Sequence, residues 1–262
     1  MSETAVDAPC PICEGRGWVL ATDGSAGTAQ PCSCRAARAS QERLSKAGIP
    51  PRYAGTTLEN FNVDGSADGD RLLEAKELSK RYVESFVAAN GRFRDTGLLY
   101  VGPPGGGKTH LAVGVLRALI ERYAVRGRFV DFTSLVHEIQ STFDPGSEES
   151  KRQVLDPVMK AEVLVLDELG AQRPTAFVND TLYLVLNTRY TRCLPTIFTT
   201  NHPLEAARPG PTPLDRSPVA SAEPLTARIP VRLVSRLYEM ARTIDLPVGD
   251  FRREVKAVQT RI

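Results

Sequence analysis

The sequence predicts an α/β fold, a parallel sheet flanked by helices, with a small N-terminal metal-binding module ahead of it. Three observations carry this. Short apolar runs alternate with stretches of helical periodicity between residues 97 and 201; a glycine-rich turn, GPPGGGKT, joins the first such run to the helix after it; and four of the five cysteines fall between Cys10 and Cys34. Strands that alternate with helices imply right-handed crossovers and hence parallel pairing.

The chain has 262 residues, 42% of them apolar, enough for one substantial core plus a small appendage. A formal net charge of +2 is too small to announce a nucleic-acid partner by itself. The N-terminus MSETAVDAP lacks a basic and an apolar region, and no apolar run approaches the roughly 18 residues needed to span a bilayer. A soluble cytoplasmic protein without a membrane partner is expected.

Cys10 and Cys13 form a C-x-x-C pair, and Cys32 and Cys34 a tighter C-x-C pair. A cytosolic chain does not rely on disulfides, so these four read as thiolate ligands of a structural zinc ion, with free surface thiols as the alternative. The segment has too few apolar residues for a core, so zinc would supply its folding energy. Cys193 lies apart, beside an apolar run, and is expected to be a packing residue. After the cysteines, RAARASQERLSKAGIPPRY is helical up to Gly48 and is then broken by Pro50 and Pro51, a linker.

The main domain follows. Strands are expected at GLLYV (97–101), RFVDF (128–132), EVLVLDE (162–168) and PTIFTTN (195–201), and helices at 109–124, 133–143 and 175–192. Phe129 and Phe132 are expected to face the core.

Gly102, Pro103, Pro104, Gly105, Gly106, Gly107, Lys108 and Thr109 satisfy G-x-x-x-x-G-K-[ST] directly after a strand and at the start of a helix. That geometry lets backbone N–H groups wrap the phosphates of ATP, with Lys108 on the terminal phosphates and the Thr109 hydroxyl on Mg²⁺. The second element is the pair closing the strand at 162–168. Asp167 is placed to hold Mg²⁺ through water, and Glu168 to orient or deprotonate the attacking water. Two carboxylates at the end of an apolar strand are costly without a cation nearby. Asn201, at the end of FTTN, is a candidate for positioning that water, or simply a turn residue.

In order and spacing, GPPGGGKTH, VLVLDELG, TTN and VSRLYEMARTIDLPVGDFRR resemble the AAA+ ATPases of the DnaC/DnaI helicase-loader and IstB transposition-helper group. The resemblance covers roughly residues 55–262 and implies an AAA+ sheet with a minimal lid. It places His110 within the nucleotide-binding stretch and, through TLENF, Asn60 and Phe61 near the adenine. Arg236 matches the arginine finger that reaches a neighbouring subunit's ATP site, with Arg232 and Arg242 as competitors, and Arg252 matches the sensor-2 arginine. A finger in trans makes hydrolysis depend on assembly. The implied partners are a self-oligomer in the ATP state, single-stranded DNA, and a replicative helicase of the hexameric DnaB type docked by residues 1–50, with the ATPase at 51–262. The alternative is an IstB-like helper that binds duplex DNA and recruits a transposase. This chain departs from the group in carrying Glu168 where loaders often have a second aspartate, and in a long Pro-rich stretch at 203–230, expected to be a mobile insertion. Candidate DNA contacts lie within 133–160.

Overall fold

The computed structural model describes residues 10–20, 28–63, 68–143, 150–205 and 223–246. An antiparallel hairpin, β1 (Trp18–Leu20) with β2 (Ala29–Pro31), leads into α1 (Ser33–Lys46), so the expected linker helix is present. A turn of 3-10 helix at Pro51–Tyr53 and α2 (Gly69–Glu84) precede the sheet. Its strands are β3 (Gly97–Val101), β4 (Gly127–Asp131), β5 (Val163–Asp167), β6 (Thr196–Thr200) and β7 (Ala241–Asp245). Between them run α3 (Lys108–Tyr123), α4 (Phe132–Ser141), α5 (Lys151–Lys160), α6 (Ala176–Thr191) and α7 (Val231–Met240).

Local chemistry sets the helix starts. Asp131 accepts from the Ser134 N–H at 2.6 Å, Thr175 from that of Val178, and Ser150 forms a reciprocal capping box with Gln153. Phe132 therefore begins α4 rather than ending the strand as the sequence suggested, yet both it and Phe129 are buried.

All five strands are parallel, in the order β4-β5-β6-β3-β7. Side chains alternate across a pleated strand, so the sheet feeds two cores. Leu98, Tyr100, Val163 and Val165 face α2 and α3, while Leu99, Val101, Leu164 and Leu166 face α4 to α7. The consequence for function lies in the order: β6 sits between the strand that precedes the glycine-rich turn and the strand that ends in the two carboxylates.

Arg189 locks the far end of the second core. Fully buried on α6, it donates from Nε to the Thr196 hydroxyl, from Nη1 to the carbonyls of Val158 and Ala161, and from Nη2 to that of Pro195, at 2.8 to 3.0 Å. Burial pushes its guanidinium down to about 9, so it stays charged at neutral pH.

Several elements were not read from the sequence, among them the β1–β2 hairpin, α2 and β7. The run VRLVSRLYEMAR is helical only to Met240, and Arg242 lies on β7 beside Leu98 of β3. One reading is corrected. Cys193 is exposed, at φ 52° in the turn after α6, because the chain must reverse there before β6 begins. Most of the Pro-rich stretch (206–222), residues 144–149, and everything beyond Leu246, including Arg252 and the expected lid, lie outside the described residues. Among the described residues no helix is long and apolar enough to cross a membrane.

Candidate functional site

A cleft of about 230 Å³ opens at the carboxyl edge of the sheet. It is lined by Pro104, Gly105, Gly107, Lys108, Thr109 and His110 from the glycine-rich turn and α3, by Glu168 after β5, by Thr199 and Asn201 at the end of β6, and by Arg52 and Tyr53 from the 3-10 turn. Gly107 caps α3 at φ 85°, and a β-carbon there would stand 2.5 Å from the Phe61 ring. Backbone conformation and space both demand glycine at that position. The first amides of α3 thus open onto the cleft, where a helix end favours anions.

Lys108 is buried and donates to the Pro103 carbonyl at 2.7 Å. The next residue, Thr109, donates to both oxygens of the Asp167 carboxylate at 3.0 and 3.2 Å. Burial raises the Asp167 pKa; hydrogen bonds from Thr199 and Thr109 oppose that, the Asp131 charge on the adjacent strand adds to it, and Lys108 counters. A hydroxyl and a carboxylate brought together, both hard oxygen donors, suit a magnesium ion.

Thr199 ties the two acidic residues together. Its hydroxyl donates to Asp167 Oδ1 at 2.5 Å and accepts from the Glu168 N–H at 3.0 Å, while its carbonyl accepts from the Leu169 N–H at 2.8 Å. Glu168 is exposed and stands at φ 57°, a left-handed conformation that a side chain with a β-carbon adopts only when its surroundings impose it. Sequence reading picked Asn201 from this strand and missed Thr199, whose role arises only because β6 inserts between β3 and β5. Arg52 and Tyr53 were also missed.

Asn60 and Phe61 do not line the cleft. Asn60 closes a local turn, accepting from the Thr57 N–H at 2.9 Å and donating to the Gly55 carbonyl at 2.8 Å. Phe61 is buried beneath Gly107 and meets His110 edge-on, with ring centroids 5.2 Å apart. These two residues buttress the turn from behind. His110 latches the same segment, its Nε2 lying 3.0 Å from both the Thr57 carbonyl and Asn60 Oδ1. Both partners are acceptors, so Nε2 carries the proton. Burial lowers the His110 pKa.

Arg236 lies outside its own cleft. It donates to Asn187 Oδ1 at 2.6 Å and sits over the rings of Tyr183 and Tyr190 on α6. Arg232 also sits over Tyr183.

At the N-terminal end the four cysteine sulfurs lie within 4.8 Å of one another, with Cys10 to Cys32 at 3.8 Å and Cys13 to Cys34 at 3.4 Å. A zinc ion with four thiolates at ~2.3 Å has sulfur–sulfur edges of about 3.8 Å, so the cluster fits that ion. The Gly17 N–H points at Cys13 Sγ at 3.2 Å. Against the upward push of burial, this bond and those from neighbouring thiols bring Cys13 down to about 6. Purified protein is expected to carry about one zinc per chain. Metal analysis after Cys10→Ser and Cys13→Ser should return none, and metal-free wild-type protein from chelator-free, reducing preparations would contradict the zinc assignment.

The family model described as IstB-like ATP binding protein matches residues 30–208. The chain is 26% identical over 168 residues to the replicative helicase loader DnaC of Escherichia coli K12, covering 63% of each. It is 32% identical over 177 residues to a putative insertion sequence ATP-binding protein of Sinorhizobium fredii, 67% of this chain and 54% of that one. The crystal structure of the DnaC helicase loader superposes with a TM-score of 0.59 at 27% identity, covering 75% of this chain and 99% of that one. The chain spans 50% to 63% of the lengths of the first curated relatives it matches.

Proposed function

The chain belongs to the IstB-like ATP binding protein family, and from that membership and the geometry of the cleft we propose that it is an AAA+ ATPase that loads a replicative DNA helicase onto single-stranded DNA. The observation that carries the ATPase reading is the continuous path from Thr109 through Asp167 and Thr199 to the Glu168 amide, directly below the glycine-rich turn. The likeness to DnaC in sequence and in fold supports the loader reading.

In this account the α3 amides and Lys108 bind the phosphates of ATP, and Thr109 and Asp167 hold magnesium. When bound, the ion would supply positive charge against the phosphates. Glu168 polarises the attacking water and Asn201 orients it from the neighbouring strand. Arg236, already outside its own cleft, reaches the site of the adjacent subunit in an ATP-ordered oligomer. Arg252 contacts phosphates as the sensor-2 arginine. A planar, permanently charged fork suits the charge that develops on the transferring phosphoryl group. Residues 1–50, with the zinc cluster, dock the helicase, and residues 51–262 form the ATPase. The assembly acts in the cytoplasm, and its grip on single-stranded DNA weakens with salt as lysine and arginine contacts to phosphate require.

A second reading, an IstB-like helper that binds duplex DNA and recruits a transposase, is favoured by the likeness to the putative insertion sequence ATP-binding protein of Sinorhizobium fredii. Capture from host lysate separates the two. Glu168→Gln protein with ATP is expected to retain a replicative helicase, and Lys108→Ala protein to lose it. Recovery of a transposase with duplex DNA in place of the helicase would overturn the loader reading.

A further inference from the structure

Beyond β6 the chain returns at residues 223–229 and is fastened to the loop that follows the two acidic residues. The fastening is dense. The Glu168 and Leu169 amides are held by the hydroxyl and the carbonyl of Thr199, and the Leu169 carbonyl by the Thr200 hydroxyl at 2.7 Å. The next three carbonyls are taken by one guanidinium. Arg228 donates from Nε to Gly170 at 2.9 Å and from Nη2 to Ala171 and Gln172 at 3.1 and 3.3 Å, while Nη1 pairs with Glu223 at 3.2 Å. Gly170 stands at φ 86°, and a β-carbon there would lie 2.7 Å from Leu225 and 3.1 Å from His202, so 223–229 fits against this loop with no room to spare. The same segment is tied to the end of β6 by the Leu225 amide on the Pro203 carbonyl at 2.7 Å, and by His202 Nδ1, 2.8 Å from the Glu223 carbonyl.

A left-handed glutamate persists only where the surrounding structure over-determines it. Thr199 fixes the amide side of Glu168, and the turn leaving it closes through the Ala171 N–H on the Glu168 carbonyl at 3.1 Å. We propose that Arg228 is a positioning residue for hydrolysis: its three-carbonyl clamp holds the 168–172 turn in the conformation that presents the Glu168 carboxylate to the cleft. Arginine suits the task because its rigid fork serves several acceptors at once, which a lysine ammonium on a flexible stem does not. The clamp also joins the segment that follows the Pro-rich stretch to the ends of both β5 and β6.

This inference rests on the reading of the cleft as an ATP-hydrolysing site, so its test has two arms. In the first, Arg228→Ala is expected to lower kcat about 10- to 100-fold, the scale of a displaced catalytic group, with ATP affinity within about twofold of wild type. Arg228→Lys should fall between, and millimolar guanidinium should restore part of the turnover of Arg228→Ala without affecting wild type. In the second, hydrogen exchange on nucleotide-free protein is expected to lose amide protection at Glu168–Gln172 in Arg228→Ala while β3 and β5 stay protected. Unchanged protection in that turn, or turnover and ATP affinity falling together with a global loss of protection, would overturn the proposal. A wild-type protein that hydrolyses no ATP would refute the ATPase reading and with it the catalytic half of the inference, while the exchange arm alone decides whether Arg228 holds the turn.

Discussion

Glu168→Gln is expected to lower steady-state ATP turnover by about 10²- to 10⁴-fold, the range for loss of a general base, while ATP affinity stays within a few fold. Glutamine has nearly the same shape and keeps an acceptor for the water but cannot take its proton. The backbone that places it is unaffected, since Thr199 and Arg228 hold main-chain atoms on either side. Affinity should be spared, since the proposed phosphate contacts are the α3 amides and Lys108. Lys108→Ala should do the opposite and remove binding itself. Titration with a fluorescent ATP analogue and phosphate-release kinetics check both variants, and equal loss of affinity in the two would contradict the division of labour between the glycine-rich turn and the end of β5.

Arg189→Met is expected to destabilise the domain by about 3 to 5 kcal/mol, the scale of breaking a buried charged network by removing one member. Methionine fills much of the space and removes the charge. It leaves the carbonyls of Val158, Ala161 and Pro195 and the Thr196 hydroxyl without that donor in a dry interior, and orphaned buried acceptors each cost about 1 to 3 kcal/mol. For a domain of this size the melting temperature should fall by roughly 6 to 20 °C. Arg189→Lys, with donors enough for only some of these acceptors, should lie between. Calorimetry showing Arg189→Met within experimental error of wild type would mean that these carbonyls find other partners and that Arg189 is not a lock.

The parts of the site that the sequence made legible are those encoded contiguously. The phosphate turn needs glycines, a lysine and a threonine in one unbroken run, and a buried strand ending in Asp167 and Glu168 announces itself by the cost of its carboxylates. What was not legible depends on contacts far apart in the chain. Thr199 reads as one more β-branched strand residue until β6 is seen between β3 and β5. Arg189 and Arg228 bind mainly backbone carbonyls, which carry no residue identity and leave no pattern. β7 continues without a break from the helical run before it, and only pairing with β3 reveals it as a strand. Asn60 and Phe61 were named through a resemblance alone, and their packing against Gly107 and His110 shows only once the chain is folded.

The central claim is ATP-dependent placement of a helicase on single-stranded DNA, and unwinding measured on a closed circular single strand carrying an annealed oligonucleotide tests it most directly. With no free end to thread, the host's replicative helicase should release the oligonucleotide only when this protein and ATP are both present, and Lys108→Ala protein should give no release. Equal release with and without the protein, or with Lys108→Ala in its place, would contradict the account.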